Sequence, residues 1–212
     1  MKSERKKIFV FGASGHAKVV IDIIERQGIY DIAFLIDDDP ILRGANCYGY
    51  RVIGGKQQLL DYSINQGIVA IGSNSARTAV AVWLKENGFH LVSAVHPSAE
   101  LGRGVTVGVG TVIMAGAVVN SDTNINSNVI INTRASVDHD CVISESVHIA
   151  PGATLCGTVR VGAGCFICAG STIIPNLTIG SNVIVGAGST VIRDLPDNVT
   201  AVGNPAMIVK QF

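Results

Sequence analysis

From Val95 to Pro196 the apolar positions recur every six residues without one insertion. In that phase the stretch begins VHPSAE LGRGVT VGVGTV and ends VGAGST VIRDLP, seventeen hexapeptides over 102 residues. The first position is Val, Ile or Leu in all seventeen. The fifth is small or apolar throughout, from Ala99, Val105, Thr111 and Ala117 to Ser189 and Leu195. So short a period, held so long, means that each repeat packs on its copies rather than closing its own core. One hexapeptide is a short strand plus a corner, and three make one turn of a triangular prism. Residues i and i+18 should then stand above one another, with first positions stacked along the axis and fifth positions filling the corners. Gly and Asn elsewhere in the repeat suit the bend. Backbone groups bond to the turns above and below, which leaves open edges mainly at the two ends.

Ahead of the repeat the pattern changes. Lys6 to Phe11 is a short apolar run that ends in Gly12-Ala13-Ser14-Gly15-His16. The next segment, AKVVIDIIERQG, spaces its aliphatic residues as a helix does and stops at Gly28. IAFLID predicts a second strand running into Asp37-Asp38-Asp39-Pro40. After a Gly-rich loop come a short helix over 56–62, a third strand over 68–71 ending in Gly72-Ser73-Asn74, and a helix over 76–87 closed by Gly88. Strands alternating with helices predict a small α/β unit on a parallel sheet. The expected domains are 1–94 and 95–212, the second including a C-terminal tail from Val199 that should cap the open end of the coil.

Composition narrows the function classes. Sixteen Lys and Arg balance sixteen Asp and Glu, so no basic field recommends nucleic acid or an anionic membrane. MKSERKK is charged but is followed by a strand and a glycine turn rather than the apolar region of a signal peptide. No apolar run approaches the ~18 residues of a membrane helix. A cytoplasmic protein is expected. Of the five cysteines, Cys141 and Cys165 fall on fifth positions as small buried thiols. Cys165-Phe-Ile-Cys168 has CxxC spacing, but the hexad frame already accounts for it.

Two regions carry candidate chemistry. A Gly-x-x-Gly turn between a strand and a helix suits a phosphate, because free N–H groups and a helix N-terminus meet the anion there. It falls short of GxGxxG, since position 14 is Ser and position 17 Ala, and a ligand-free strand-to-helix turn is the alternative. Asp37 and Asp38 end the second strand and can accept from ribose hydroxyls or a base N–H, while Gly72 ends the third. All three ends lie on the carboxyl edge of one sheet, where open α/β folds bind ligands. The second region is VDHDCV, where His139 sits at a third position between Asp138 and Asp140. Third positions lie outside the buried columns, so the ring should be available. A carboxylate on one ring nitrogen would hold the tautomer and raise the basicity of the other, as a general base requires. Neighbours on a straight strand point oppositely, so this contact needs the corner to turn Asp140 back. A solvated His among Asp residues is the alternative. His90 and His96 read as structural.

Taken together, GASGHAKVV, the DD after the second strand, IAIGSN, IN-x-x-A-x-V-x-HDC, HIAPGA, the unbroken hexads and GNPA resemble one family. It is that of bacterial sugar acetyltransferases, including sialic acid O-acetyltransferases and UDP-4-amino-sugar N-acetyltransferases. The resemblance implies a Rossmann-like α/β domain followed by a left-handed parallel β-helix. It further implies a homotrimer with acetyl-CoA as co-substrate in a groove between subunits and a nucleotide sugar reaching over from the N-terminal domain. His139 would be the general base and Asp140 the carboxylate behind it, although many relatives carry Glu there. His148 would hydrogen-bond acetyl-CoA, and Ala169 and Ala187 would line the path of its arm. Ser14, Gly15, His16, Asp37, Asp38 and Gly72 match the nucleotide-sugar site, and Asn132 a residue near the sugar. No metal is implied. The implied reaction is direct acetyl transfer to the 4-amino group of a UDP-linked 4-amino-4,6-dideoxy sugar. O-acetylation of a sialic acid keeps the chemistry and changes the acceptor. A zinc hydratase would need three matched imidazoles, and a non-catalytic scaffold would be indifferent to loss of His139.

Overall fold

The structure, a computed structural model, describes residues 5–212; the first four residues of MKSERKK lie outside the described residues. The chain divides after Pro97 into two units. The first contains β1 (Lys6–Phe11), α1 (Gly15–Gln27), β2 (Tyr30–Ile36), α2 (Lys56–Leu59), β3 (Gln66–Val69), α3 (Asn74–Glu86) and β4 (His90–Leu91). Its strands pair in parallel in the order β2-β1-β3-β4. Helix α1 forms because Ala17, Val20, Ile21, Ile23 and Ile24 share one buried face. It stops where Gly28 takes φ 67° and returns its N–H to Ile24 O at 3.0 Å. An aromatic core holds the layers together: Phe9, Phe11 and Phe34 pack with Ile36, Leu59, Val69, Val80 and Leu84. Phe89 meets Phe9 edge-on at 5.5 Å.

Several boundaries differ from the pattern-based expectation, and those of three elements have a clear local reason. Strand β3 starts and ends two residues early, because its ladder with β1 closes at Phe11 opposite Val69. Helix α3 begins at Asn74 rather than position 76, since Ser73 is its N-cap and accepts from Ala76 N–H at 3.4 Å. Helix α2 ends at Leu59, and Asp61 and Tyr62 continue it only as tighter i−3 turns, bonding to Gln58 O and Leu59 O. The loop after β2 contains a 3-10 turn, Pro40–Leu42, and a hairpin pairing Asn46–Cys47 with Tyr50–Arg51. Tyr48 and Gly49 form its tip at φ 49° and 87°.

The second unit is a parallel β-solenoid. Each strand of the hexad coil is two residues long, the sixth position of one hexad and the first of the next, as in Ser136–Val137, Val142–Ile143 and His148–Ile149. The ladders run at a spacing of eighteen: Val118 stands opposite Ser136, Ser136 opposite Thr154, and Thr154 opposite Thr172. First positions are buried without exception from Ile113 to Val191. At the start of the coil, where no earlier turn covers it, Leu101 is 39% exposed. The bend falls on the fourth position, which has positive φ in every hexad from Gly104 to Gly188. Gly, Asn and Asp fill most of these places, with Arg134, Ser146 and Thr158 the others. The C-terminal tail extends one face of the prism: Val199–Gly203 pairs in parallel with Ile184–Val185 and antiparallel with Ala206–Gln211. No helix among the described residues is long and apolar enough to cross a membrane.

The buried column predicts graded sensitivity along the coil. Ile149→Ala, at a fully buried site, should cost about 2–5 kcal/mol, whereas Leu101→Ala should cost much less. Denaturant midpoints of the two variants check the order.

Candidate active site

In the α/β unit the three turns that follow β1, β2 and β3 are tied to one another. Gly12 takes φ 122° and passes so close to β3 that a Cβ there would lie 2.6 Å from Ala70 O, so only glycine fits. Its neighbour Ala13 donates its N–H to Asp37 Oδ2 at 2.8 Å, and Asp37 Oδ1 accepts from Asp39 N–H at 3.0 Å. Asp38 accepts from Lys56 N–H at 3.0 Å and pairs with Lys56 Nζ at 3.2 Å. Both carboxylates therefore brace loops as well as facing a cavity of about 400 Å³ that Asp39, Arg43 and Gly55 also line. Ser14 is the N-cap of α1, and its side chain makes no capping bond. Gly15 opens the helix with free space where a Cβ would be. Gly72 comes beside His16, since a Cβ at Gly72 would touch the ring at 3.8 Å. Burial, with the Arg77 cation in support, pushes the His16 imidazole down to about 4, so it is neutral at pH 7.

Arg77 was not singled out in the sequence. It is 1% exposed on the first turns of α3. Its guanidinium donates to Ile71 O and Gly72 O, both at 3.3 Å, and to Asn74 Oδ1 at 3.0 Å. Burial lowers its pKa to about 10, which leaves it a cation at neutral pH. It gathers the third turn around one buried charge. A basic residue on an amphipathic helix normally reads as solvated, so periodicity gave no signal for it.

In the solenoid, His139 and Asp140 occupy the third and fourth positions of one corner. Asp140 has φ 58°, and that left-handed turn swings its carboxylate back, bringing Oδ2 to 2.8 Å from His139 Nδ1. An ionised carboxylate only accepts, so Nδ1 carries the proton and Nε2 keeps its lone pair. More than half of each side chain is exposed. The Asp140 hydrogen bond, then the charge of Asp138, raises the His139 pKa above the ordinary histidine value. Asp138 is held in place by Asn120 Nδ2 and by the His139 N–H, both at 2.8 Å on Oδ1, and these bonds lower its pKa.

His148 lies on another face of the prism and is 8% exposed. It stacks on Phe166 with centroids 4.9 Å apart. Asn132, separately matched to the sugar, is its direct partner: Asn132 Nδ2 lies 3.0 Å from His148 Nε2. Asn132 Oδ1 accepts from Thr133 N–H at 2.8 Å, so the amide nitrogen must be the group facing the ring. His148 Nε2 is then the acceptor and its proton sits on Nδ1. Ala169 and Ala187 are exposed third positions one full turn apart. Gly170 and Gly188 beside them would have open space around a Cβ, which leaves that corner clear. Among the described residues no group of three His, Cys, Asp or Glu is gathered as a metal would need.

Comparison with known proteins places this geometry. Residues 7–84 match the family described as the PglD N-terminal domain, and residues 140–175 and 158–193 match the bacterial transferase hexapeptide repeats. A UDP-N-acetylbacillosamine N-acetyltransferase of Bacillus subtilis (strain 168) is 37% identical over 52% of this chain, and the match spans only about half (52%) of that relative. A GDP-perosamine N-acetyltransferase of Escherichia coli O157:H7 is 28% identical over 74% of this chain and 73% of its own. The crystal structure of PerB from Caulobacter crescentus, in complex with CoA and GDP-perosamine, is 40% identical over 96% of this chain and 97% of that one, with a TM-score of 0.91. The acetyltransferase domain of PglB from Neisseria gonorrhoeae FA1090, in complex with acetyl coenzyme A, is 36% identical over 97% of this chain and 100% of that one, with a TM-score of 0.90. With both halves matched and the likeness running nearly end to end, the chain belongs to the sugar acetyltransferase family in which a PglD-type α/β domain precedes bacterial-transferase hexapeptide repeats.

Proposed function

We propose that this protein transfers the acetyl group of acetyl-CoA directly to the 4-amino group of a nucleotide-linked 4-amino-4,6-dideoxy sugar, with His139 as general base. The observation that carries the reading is the His139–Asp140 pair at 2.8 Å on an exposed corner. The amine attacks the thioester carbonyl, the C–N bond forms and the C–S bond breaks. His139 Nε2 takes the proton from the nitrogen as it becomes positive, and the departing thiolate receives it. Asp140 stabilises the imidazolium formed in between. No acyl-enzyme is required, and no activated nucleophile accompanies the imidazole in this corner. Support comes from relatives named as N-acetyltransferases of perosamine and bacillosamine nucleotides. It also comes from two C. crescentus structures, 39% identical to this chain, in which one histidine was changed to Asn or to Ala. These names favour an amine over the hydroxyl of a sialic acid as acceptor.

In this reading acetyl-CoA runs along the corner bearing Ala169 and Ala187, with His148 as a hydrogen-bonding partner. The nucleotide is held by Ser14, Gly15, His16, Asp37, Asp38 and Gly72, and Asn132 lies near the sugar. A neutral His16 adds a hydrogen-bonding group to that site without a charge of its own. The protein is a cytoplasmic homotrimer with its sites between subunits, which a mass measurement in solution would check. The sequence points to UDP as carrier. GDP is the second reading, favoured because the C. crescentus relatives, which match nearly end to end, were crystallised with GDP-perosamine. CoA release with UDP- and GDP-linked 4-amino sugars, and with free sialic acids as the O-acetylation control, decides among them. Turnover only with the sialic acids overturns the amine assignment.

Two variants test the base. His139→Ala should lower kcat at least a hundredfold (general base catalysis is worth ~10²–10⁴-fold) while the melting temperature holds, because the side chain is exposed. The base works when deprotonated, so activity should rise with pH through a pKa above the ordinary histidine value. Asp140→Asn removes the interaction that raises it, so the inflection should move to lower pH while the plateau kcat falls. A pH–rate profile of the two proteins checks both signs.

A further inference from the structure

Third positions of the hexads tolerate almost anything: Pro, Arg, Val, Ser, Thr, Glu and Ala all occur there. Among the seventeen there is one glycine, Gly157, and it stands eighteen residues after His139. The two turns are locked together, since Thr158 N–H donates to His139 O at 2.9 Å. Backbone conformation does not call for glycine at 157, because its φ lies outside the left-handed region. Close packing of main chain does not either. At Gly162 a Cβ would run into the backbone of Gly180 and Ser181 at 2.6 Å. At Gly157 the three nearest atoms are all in the His139 ring: Cε1 and Nε2 at 2.7 Å and Nδ1 at 3.3 Å. Gly157 is buried while the imidazole above it is exposed, as expected if the ring lies across it.

We propose that Gly157 is a positioning residue, its bare Cα forming the seat on which the imidazole of His139 rests at hydrogen-bonding distance from Asp140. The proposal builds on the assignment of His139 as base, but the seat itself is a matter of geometry. A methyl at 157 must be cleared from 2.7 Å to at least 3.4 Å. The yielding partner is the ring, because it is the free end of a side chain whereas the main chain below is bonded to the next turn through Asn176 N–H and Gly157 O. The displaced ring loses its 2.8 Å contact with Asp140. The charged groups that act on it are Asp138 and Asp140 of its own turn, while the turn below presents the Gly157 backbone beneath the ring.

The test is a double-mutant cycle of Gly157→Ala with His139→Ala, read by melting temperature, kcat and NMR titration of the His139 ring. Gly157→Ala should keep or raise the melting temperature, because alanine restricts the unfolded chain more than glycine. Its kcat should fall about 10–100-fold, the scale of an ångström-sized misplacement, and the His139 titration should move to lower pH. In the His139→Ala background the same methyl should leave the residual kcat unchanged while its effect on the melting temperature is no less favourable than in the parent. If Gly157→Ala leaves kcat and the His139 titration as in the parent while His139→Ala is inactive, the seat is refuted and the base stands. If His139→Ala is active, the base assignment fails, and the NMR titration alone still decides the seat. A Gly157→Ala protein destabilised equally in both backgrounds also overturns the proposal, since glycine would then serve the coil and not the ring.

Discussion

From Gly104 to Gly188 every corner of the solenoid turns through a fourth residue held at positive φ, and that demand decides where chemistry can stand. For a residue with a Cβ the left-handed region costs ~1–2 kcal/mol, least for Asn and Asp, whose short polar chains bond locally. Asp140 meets the backbone requirement and a chemical one together. On a straight strand its carboxylate and the ring of His139 would point apart. At φ 58° they meet. The dyad is thus a product of the corner, and the coil presents it on a main chain bonded above and below, through Asp140 N–H to Ser121 O and His139 O from Thr158 N–H. Such bonding suits a base whose ring must be held without being buried.

The α/β unit solves a different problem, which is to hold three loops at one sheet edge without closing them off. Asp37 joins the first turn to the second, and His16 lies beside Gly72 of the third. Arg77 gathers the third from beneath with three donated bonds. A buried guanidinium carries a heavy desolvation cost, offset only by such bonds. The charge has an electrostatic effect as well, since it helps keep His16 neutral.

The coil was readable because its signal is redundant: first-position aliphatics repeat the same instruction, and the ladders at a spacing of eighteen follow from the count alone. The strands and helices of the α/β unit were readable from periodicity, though their ends were set by caps and ladder closure that apolar patterns do not encode, as Ser73 and Val69 show. His139 and Asp140 were readable as candidates, but their contact depended on a bend at Asp140 that the hexad pattern by itself did not supply. The Asn132–His148 contact was not, although these residues lie only sixteen apart, because it joins positions two and six of different hexads rather than a column. Arg77 was missed since a charge on a helix says nothing of its own burial. Gly157 was hidden among other glycines until its place one turn beyond the imidazole could be matched to the atoms it would meet.

The eighteen-residue register also constrains how the coil can change in length. Removal or gain of one hexad preserves the first- and fifth-position chemistry, and the interior would still fill. A change of that kind between His148 and Gly157, however, would rotate everything downstream by one face, carrying Gly157 away from His139 and the Phe166 ring away from His148. Only whole turns keep the corners aligned. The coil can therefore lengthen or shorten among descendants in steps of eighteen and keep its chemistry, while steps of six would yield a sound prism with a scrambled surface.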